Sequence, residues 1–363
     1  MSDWNCQIVM IEKVEAHPNA DALDIVTVMG DYPVVVKRDE YRVGDISGYV
    51  AIDSIVPDTD QFYFLCPKNT EKYEEDGEIK VRLIGPKYEL GAVPEKHRII
   101  KAKKIRGIYS QGMLILGDYS GMSVGDSIID SLHLKKWEEE EEDNLPKIKN
   151  VNGCNASAPK NLSIPYYDLE SIRKYLPCVE NEKDIILTEK LNGSNFSAVF
   201  DGQTLVVKSR NFYKKLNPDD MWADAAIRND LENKLSNYPM IVLFGELVNQ
   251  IKNFKYTTEI VDGKLLTDLY FFDAFDLKSS RYLDYDDFKK IIDDLNLKST
   301  PVLYRGPWID KEKMYSLAEG TSTLNNKVVR EGWVLSLAKE RFEPKLNGRL
   351  KLKLVGEGYN LKK

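Results

Sequence analysis

The sequence is poor in the residues that build zinc sites and disulfide frameworks. It has 4 cysteines and 3 histidines in 363 residues, and no C-x-x-C pair occurs. They stand apart along the chain, at Cys6, Cys66, Cys154, Cys178, His17, His97 and His133. Zinc knuckles and disulfide-stapled folds need such residues at short, paired spacings. We therefore expect reduced, mostly buried thiols.

Long apolar runs are also missing. The first residues contain no apolar stretch typical of a signal peptide, and no run of membrane-spanning length occurs further along the chain. We expect a protein of the cytoplasm that has no contact with a membrane.

An excess of positive charge is missing too, because the formal net charge is −7. A block of six acidic residues, 138–143, accounts for most of this value, and without it the net charge is about −1. A basic groove can coexist with an acidic remainder. The net charge therefore does not exclude a nucleic-acid partner.

The length of 363 residues favours two domains, each large enough to bury its own core. We place an N-terminal domain at residues 1–137, an acidic and polar linker at 138–163, and a C-terminal domain at 164–363. The linker composition, rich in Glu, Asn, Ser, Gly and Pro, is typical of segments that cannot bury a core.

The first domain is rich in short apolar segments such as CQIVMIEKV, YPVVVKR and DISGYVAI, separated by Pro, Gly and Asp. Many short strands with frequent turn signals predict a small closed barrel. Two segments narrow this prediction. HPNADAL at 17–23 and RGIYSQGM at 106–113 resemble the motifs that open and close the OB-fold tRNA-binding module of some synthetases.

The second domain alternates strand and helix signals. Helical spacing of apolar residues occurs between Met221 and Leu235, and a second amphipathic stretch is YDDFKKIIDDLNL at 285–297. Strand candidates are LVVKSR, MIVLFGEL, DLYFFDAFDL, TPVLYRG, EGWVLSL and RLKLKLV. These signals predict an α+β domain of antiparallel sheets with flanking helices.

The stretch LTEKLNGSNFSAVF, residues 187–200, alternates in the manner of two strands with Asn192-Gly193 between them. Because Asn-Gly readily supplies positive φ, we predict a tight hairpin here. Lys190 would then lie at the mouth of that hairpin.

Five polar sites fall at the ends of strand candidates. They are Lys190 in EKLNGSN, Arg210 in KSRN, Glu246 in FGEL, Glu331 in REGWV, and the pair Lys351 and Lys353 in LKLKL. Residues at i and i+2 of a strand share a face, so the lysine pair should point the same way. Each site alone fits an ordinary surface.

In this order, the sites resemble the motif set of the covalent nucleotidyltransferase superfamily over roughly residues 165–355. This superfamily contains ATP-dependent DNA ligases, RNA ligases and mRNA capping enzymes. DNA ligases and capping enzymes place an OB-fold after the last lysine motif, whereas only ten residues follow Lys353 here. The N-terminal OB-like segment, together with Asn195, makes the chain similar to RNA ligases of the Deinococcus and Naegleria type. One departure is Asn192, where the superfamily usually has Asp.

The resemblance implies an ATP-dependent RNA ligase that seals 3′-hydroxyl and 5′-phosphate breaks, with nicks in duplexes carrying an RNA 3′-hydroxyl strand as the expected substrate. Lys190 is the implied nucleophile, forming a lysyl-AMP and then an adenylylated 5′ end. Glu246 and Glu331 are the implied ligands of Mg²⁺ or Mn²⁺, with a second metal on the ATP phosphates. Implied nucleotide contacts are Glu189, Asn195, Arg210, Glu246, Phe272, Lys351 and Lys353. Phe272 would stack on adenine, although a core phenylalanine is the alternative.

The chemistry explains why cations are needed. A lysine with the reference pKa near 10.4 is neutral in only about one molecule in ~2,500 at pH 7, a deficit of roughly 4.6 kcal/mol. Positive neighbours penalise the charged form, and Lys351, Lys353 and a divalent cation are the expected sources.

The OB-like domain is expected to hold the 3′-hydroxyl side of the broken strand through a basic strand with Lys101, Lys103, Lys104 and Arg106. Two other functions stay open: a DNA ligase of unusual domain order, and a non-catalytic protein that only binds tRNA or other RNA. ATP is implied by the resemblance, and no single residue excludes GTP or NAD.

Overall fold

The computed structural model describes residues 4–75, 78–137, 154–160, 162–251, 254–257, 260–261 and 264–362. The chain divides into two compact units, Ser2–Glu139 and Glu140–Lys362. The acidic block 138–143, predicted as part of a linker, lies outside the described residues. No helix in the described ranges is long and apolar enough to cross a membrane. All four cysteines are free thiols, and Cys178 is the one that is only half-buried.

The described residues of the N-terminal unit form short strands and two 3-10 turns, at Asp60–Leu65 and Glu95–His97. The strands are β1 (Gln7–Ala16), β2 (Leu23–Val28), β3 (Tyr32–Lys37), β4 (Ile46–Val50), β5 (Ser54–Ile55), β6 (Lys68–Glu75), β7 (Glu78–Pro86), β8 (Lys103–Ile105), β9 (Ile108–Ser110), β10 (Met113–Ile115) and β11 (Lys135–Lys136). Three two-stranded ribbons, β5–β11, β6–β7 and β8–β9, accompany one five-stranded sheet.

The five-stranded sheet has the order β10-β4-β1-β2-β3 and curls into a nearly closed barrel. Strand β1 pairs with β4 through its first half and with β2 through its second half, and its register shifts between Ile11 and Lys13. Such a bulge bends a strand and increases its twist. The far edge, β3, meets the segment that leads into β10, because Gln111 N donates to Pro33 O at 2.8 Å. The OB-type barrel predicted from the sequence is confirmed.

The C-terminal unit contains two large sheets and five short helices among its described residues. The strands of both sheets pair antiparallel, except that Glu170–Ser171 pairs parallel with Leu352–Val355 in one of them. Its strands are β12 (Glu170–Ser171), β13 (Ile185–Lys190), β14 (Ser194–Phe200), β15 (Leu205–Ser209), β16 (Tyr213–Lys214), β17 (Ile241–Val248), β18 (Ile260–Val261), β19 (Lys264–Leu265), β20 (Asp268–Asp276), β21 (Arg281–Tyr282), β22 (Val302–Gly306), β23 (Gly332–Leu337), β24 (Phe342–Glu343), β25 (Gly348–Arg349) and β26 (Leu352–Val355). The helices are α1 (Met221–Arg228), α2 (Leu231–Leu235), α3 (Tyr285–Asp294), α4 (Lys311–Ser316) and α5 (Glu357–Lys362), with 3-10 turns at Ile172–Lys174, Leu176–Cys178 and Pro344–Leu346.

One large sheet has the order β12-β26-β23-β13-β22 and the other β16-β15-β14-β17-β20-β21. Helices α1, α2 and α3 pack on the six-stranded sheet through a cluster that contains Phe196, Phe271 and Phe288. Strand β13 contributes Ile186 to this cluster, while Ile185 and Leu187 face a second cluster around Trp333. The α+β architecture predicted from the sequence is confirmed.

The predicted hairpin at Asn192-Gly193 is wrong. Strand β13 pairs with β22 and β23, whereas β14 pairs with β15 and β17, so the chain passes from one sheet to the other between Lys190 and Ser194. Neither Asn192 nor Gly193 has a positive φ. Gly193 is needed for space, because a Cβ there would collide with the Leu247 carbonyl.

The helical segment predicted between Met221 and Leu235 forms two helices rather than one. Helix α1 ends at Arg228, and Asp230 adopts φ 53°, in the left-handed region, before α2 begins. Ile227, which fits the apolar spacing, is 48% exposed as a result. The second amphipathic stretch is helix α3, as predicted.

Candidate active site

A cavity of about 470 Å³ opens in the C-terminal unit where strands from both large sheets end. Among the residues predicted from the sequence, the cavity is lined by Glu189, Lys190, Asn195, Arg210, Glu246, Phe272, Glu331 and Lys353. Asn192, Gly193, Tyr167, Asp168 and Trp222 also contribute to its wall. Segments far apart in the sequence therefore meet at one place.

Lys190 lies in this cavity beside a carboxylate. Its Nζ donates to Oε1 of Glu331 at 2.6 Å, and the lysine side chain is 26% exposed. The pairing of β13 with β23 places Lys190 opposite Gly332, the neighbour of Glu331. Gly332 has φ 155°, and a Cβ there would collide with the Leu354 carbonyl, so glycine permits the close approach of β23 and β26. In this state the carboxylate favours the charged form of Lys190.

Glu246 lies across the cavity from β13, on β17 opposite Asn195 of β14. Burial raises the pKa of Glu246 from 4.5 to about 8. The charge of Lys190 acts against this rise and that of Glu331 adds to it. A hydrogen bond from the Gly193 backbone to the carboxyl group also stabilises its charged form. Glu246 is therefore a carboxyl group that a cation would deprotonate on binding.

Some carboxylate oxygens in the cavity wall are buried without a hydrogen-bond partner among the described residues, and two of them bear on cation binding. They are Oε2 of Glu331 and Oε1 of Glu189. The other oxygen of Glu189 accepts from Thr323 N at 2.8 Å and from Thr323 Oγ1 at 2.6 Å. Buried oxygens without a donor cost free energy unless a ligand satisfies them. Glu331 and Glu246 together fit a divalent cation, which prefers hard oxygen ligands.

Arg210 follows β15 and reaches the rim of the cavity. Its Nη2 lies 3.5 Å from Oδ1 of Asp168, and its guanidinium lies 5.5 Å from the centre of the Tyr166 ring. The side chain is 45% exposed, so the fork of donors is open to an incoming anion. Asp168 and Tyr166 were not identified from the sequence, because they precede the first recognised motif.

Phe272 is turned into the cavity by a bulge in β20. Phe271 pairs with Gly245 and Asp273 with Phe244, which leaves Phe272 as the extra residue. Its ring lies 5.0 Å from that of Tyr167 at an interplanar angle of 58°. Phe272 is half-buried, so one part of the ring remains accessible to a ligand. Bulges near sites redirect side chains in this way.

Lys351 and Lys353 have different surroundings. Lys353, on β26, lines the cavity, but Lys351 precedes the strand and is not part of the lining. The buried Nζ of Lys351 donates to Oδ2 of Asp273 at 2.7 Å and to the Phe272 carbonyl at 3.3 Å. The nucleotide contact of Lys351 stays a prediction, and in this state the residue supports the strand that carries Phe272.

Asp273 is the centre of a buried ion-pair cluster beneath the cavity. Its Oδ2 also accepts from Arg349 at 2.7 Å and from the Tyr167 hydroxyl at 2.6 Å. Burial alone would raise the pKa of Asp273, but the charges of Arg349 and Lys351 outweigh it and hold the pKa below its usual value. Asp273 was missed from the sequence, although it stands in the FFDAFD segment beside Phe272.

A basic hairpin stands out in the N-terminal unit. Strands β8 and β9 are joined by Arg106 and Gly107, with φ values of 48° and 89° that are typical of a two-residue hairpin turn. The predicted cations Lys101, Lys103, Lys104 and Arg106 are all exposed. The two motifs noticed in the sequence meet here, since His17 Nε2 lies 3.0 Å from the Ile105 carbonyl and Asn19 Nδ2 donates to the Arg106 carbonyl at 2.9 Å.

Comparison with known proteins agrees with these observations. Residues 183–354 match the RNA ligase family model, and residues 6–90 match the model of an OB-fold domain. The first match contains every predicted motif from Lys190 to Lys353. The predicted resemblance to the RNA ligases, and with it the prediction of a ligase, is thereby confirmed at the level of family model and fold. A search of curated protein sequences gives no match.

Among solved structures, Naegleria gruberi RNA ligase with pyrophosphate has a TM-score of 0.74 and 22% identity, and the alignment covers 99% of this chain and 98% of that one. A point mutant of the same ligase with ATP and Mn has a TM-score of 0.75 at 23% identity, with the same coverage. A further mutant with ATP and Mn has a TM-score of 0.74 at 22% identity, covering 99% of both chains. This likeness shows that the two-unit fold is shared over nearly the whole length.

Proposed function

We propose that this protein is an ATP-dependent RNA ligase that joins a 3′-hydroxyl to a 5′-phosphate through a covalent lysyl-AMP. The observation that carries the proposal is Lys190, an amine that lies in an open cavity within 2.6 Å of Glu331 and in the electrostatic field of Glu246. The Naegleria structures that share the fold contain ATP with Mn, or pyrophosphate, which supports ATP and a divalent cation as the cofactors.

The reaction would proceed through Nζ of Lys190. In the first step Nζ forms a bond to the α-phosphorus of ATP, and the bond to the pyrophosphate oxygen breaks. In the second step an oxygen of the RNA 5′-phosphate takes the adenylyl group and releases the lysine. In the third step the 3′-hydroxyl attacks the adenylylated 5′-phosphorus, a phosphodiester bond forms and AMP leaves.

Activation of Lys190 requires its ion pair with Glu331 to open, because that pair stabilises the ammonium. Glu331 and Glu246 would hold a divalent cation, which would withdraw both carboxylates from the lysine and favour the neutral amine. The predicted second metal, on the ATP phosphates, remains part of this proposal.

The remaining lining residues would bind the nucleotide. Arg210 presents several donors for a ribose or phosphate, and Lys353 adds a positive charge near the reacting phosphates. Phe272 offers a face for adenine. Glu189 and Asn195 would contact nucleoside and phosphate, and Lys351 would act with Lys353 once its bond to Asp273 rearranges.

The N-terminal unit would hold the 3′-hydroxyl strand of a nicked, RNA-containing duplex. The support is the basic hairpin, whose turn is fixed by His17 and Asn19 and which carries exposed cations. In domain terms, we propose an OB-fold domain at 1–137, a linker at 138–163 and a nucleotidyltransferase domain at 164–363.

The first experiment tests the covalent step. The purified protein is incubated with Mg²⁺ or Mn²⁺ and with radiolabelled ATP, GTP or NAD, and label that survives denaturing electrophoresis is measured. We expect label from ATP on the wild type and on Lys345→Ala, an exposed lysine variant, and none on Lys190→Ala. Label on Lys190→Ala would remove the proposed nucleophile, and label from another donor would correct the cofactor.

The second experiment separates RNA ligase from DNA ligase. A series of nicked duplexes carries ribose or deoxyribose at the last two positions of the 3′-hydroxyl strand, since the 2′-hydroxyl distinguishes the two polymers. We expect sealing to require ribose there. Equal sealing of an all-DNA nick would favour a DNA ligase, and binding without any sealing would favour a protein that only binds RNA.

A third experiment addresses the basic hairpin. Simultaneous replacement of Lys103, Lys104 and Arg106 by alanine should lower the slope of log affinity for the nicked duplex against log salt by about 2–3. Lysyl-AMP formation should stay at the wild-type rate. An unchanged slope would place the RNA elsewhere on the protein.

A further inference from the structure

Exposed aromatic side chains are few in this protein, and two of them stand at the mouth of the active-site cavity. In the part of the chain that the structure describes, the exposed aromatic residues are Phe64, Tyr166, Phe212 and Phe342. Tyr166 is 56% exposed and Phe212 is 55% exposed. The first lies 5.5 Å from the Arg210 guanidinium, and the second follows Arg210 by two residues. A single exposed ring is ordinary, but two beside one exposed cation call for an explanation.

Arg210 and Phe212 belong to the hairpin turn between β15 and β16. The turn is closed by two hydrogen bonds, because Ser209 N donates to the Phe212 carbonyl at 2.9 Å and Phe212 N donates to Ser209 Oγ at 3.2 Å. Lys208 Nζ also donates to the Arg210 carbonyl at 3.3 Å. Both Arg210 and Phe212 line the cavity. The backbone that carries the cation and the ring is therefore braced from several sides.

Tyr166 comes from a different segment, whose neighbouring residues are anchored in the fold. Ile164 and Tyr167 are buried in one apolar cluster, and the Tyr167 hydroxyl donates to Asp273 Oδ2 at 2.6 Å. Tyr166 lies between these two anchors and is exposed beside Arg210. Because its backbone is already ordered, a ligand that stacks on this ring pays little of the usual cost of ordering a binding segment.

Arg210 has room for an anion. Its contact to Oδ1 of Asp168 is long, at 3.5 Å, and its side chain is 45% exposed. A guanidinium carries five N–H donors in a planar fork that matches a phosphate group. An exposed arginine with aromatic rings beside it therefore offers the two contacts that suit the end of an RNA strand, which are donors for the phosphate and a face for the base.

The order of the proposed steps indicates which RNA group arrives at this rim. After pyrophosphate leaves, an oxygen of the RNA 5′-phosphate must reach the adenylyl phosphorus on Nζ of Lys190. The 5′-phosphate therefore enters the mouth of the cavity before the 3′-hydroxyl is needed. Adenine is already assigned to Phe272, further inside. The base at a break has no covalent neighbour on one side, so a side chain can cover that face.

We propose that Arg210, Tyr166 and Phe212 form a binding site for the terminal nucleotide of the 5′-phosphate strand. Arg210 binds the 5′-phosphate, Tyr166 stacks on the base attached to it, and Phe212 extends the aromatic surface. This inference rests on the proposed function, because it takes the 5′-phosphate strand to be a substrate. Stacking tolerates every base, so the site recognises an end and not a sequence.

The test measures equilibrium binding of a 5′-phosphorylated nicked duplex, without ATP, by fluorescence anisotropy. Tyr166→Leu should weaken binding about 10-fold, in the range found when one stacking aromatic is removed, and Phe212→Leu should weaken it in the same direction. Tyr166→Phe keeps the ring and should bind as the wild type does. Phe342→Leu is the matched control, because Phe342 is 63% exposed and is not part of the cavity lining. Wild-type affinity in Tyr166→Leu would overturn the inference.

Variants of the RNA identify the group that is bound. A duplex whose 5′-terminal nucleotide lacks its base should bind the wild type about 10-fold more weakly, and Tyr166→Leu should cause no further loss with this duplex, because the stacking partner is already absent. Additive losses would show that Tyr166 does not contact the base. Equal wild-type affinity for 5′-phosphate and 5′-hydroxyl ends would likewise count against the site.

Two further readouts separate this site from structural support and from the proposed ligase. A Tyr166→Leu variant that melts earlier but keeps wild-type affinity would show a structural role and overturn the inference. The ligase is judged by the label on Lys190. Normal labelling with unchanged RNA affinities refutes only the binding site, whereas absent labelling with the expected affinities refutes only the ligase.

Discussion

Replacing Glu246 by glutamine should remove a large pH dependence from the stability of the metal-free protein. The pKa of Glu246 is raised from 4.5 to about 8, chiefly by burial. Between those two pH values the folded protein keeps the Glu246 proton, while the unfolded chain has lost it. The folded state then binds more protons, so its stability falls as pH rises through this window and levels off above pH 8.

The size of the effect follows from the shift. A difference of about 3.5 pH units corresponds to at most about 5 kcal/mol, at ~1.4 kcal/mol per unit. Glu246 retains some contact with solvent, which screens its charge, so we expect a loss of about 2–4 kcal/mol between pH 5 and pH 9. Glutamine resembles the protonated acid and should not show this loss.

The assay is urea unfolding in the presence of EDTA at several pH values from 5 to 9. The quantity of interest is the difference in unfolding free energy between the wild type and Glu246→Gln, because titrating groups remote from Glu246 contribute equally to both. Glu232→Gln, on the exposed side of α2, is the matched control and should follow the wild type. Parallel curves for the wild type and Glu246→Gln would refute the reasoning.

The same shift has a second consequence for metal binding. If Glu246 ligates Mn²⁺, binding at pH 7 should release most of one proton from this group, and binding at pH 9 should release much less. Calorimetry in buffers of different ionisation enthalpy measures this number. Equal proton release at both pH values would show that Glu246 is not the group that the metal deprotonates.

Three further predictions concern the surroundings of the site. Gly193→Ala should lower stability by about 1–3 kcal/mol and slow lysyl-AMP formation at least 10-fold, because its methyl group meets the Leu247 carbonyl. Thermal melts measure the stability, and labelling measures lysyl-AMP formation. Gly348→Ala is the control and should be tolerated. Asp273→Asn should cost about 3–5 kcal/mol in urea unfolding, because two buried cations lose their counter-charge, and a cost below ~1 kcal/mol would contradict the cluster. Lys353→Met should raise the KM for ATP about 10-fold or more without changing the melting temperature, whereas Lys351→Met should mainly lower stability. Steady-state kinetics and thermal melts measure the two effects. The reverse pattern would show that Lys351 is the nucleotide contact.

Several parts of the fold could be predicted from the sequence because they depend on local patterns. The strands on either side of Lys190, the strand after Glu331 and the amphipathic helix α3 follow from apolar patterns that each segment carries in its own residues. The site residues were found differently, through their order along the chain. Eight of the nine predicted residues line one cavity, and Lys351 is the exception.

Pairing between segments could not be predicted from the same patterns. Alternation in LTEKLNGSNFSAVF is compatible with a hairpin, but the strand partners of β13 are β22 and β23, more than 100 residues away. The periodicity of a strand reports that its faces are buried and does not identify the strand that lies beside it. Only the packing of the two sheets decided that Lys190 and Ser194 belong to different ones.

The sequence by itself determined which parts this protein has: an OB-type barrel, an α+β unit that matches the RNA ligase family model, and a lysine with two glutamates at strand ends. The tertiary structure decided what each group does in the resting state. Glu331 accepts a hydrogen bond from Lys190, Asp273 accepts one from Lys351 below the cavity, and Tyr359 accepts one from an amide 167 residues earlier in the chain. Charge and hydrogen bonding depend on distances of a few ångströms across the fold, and those distances exist only once remote segments have packed together.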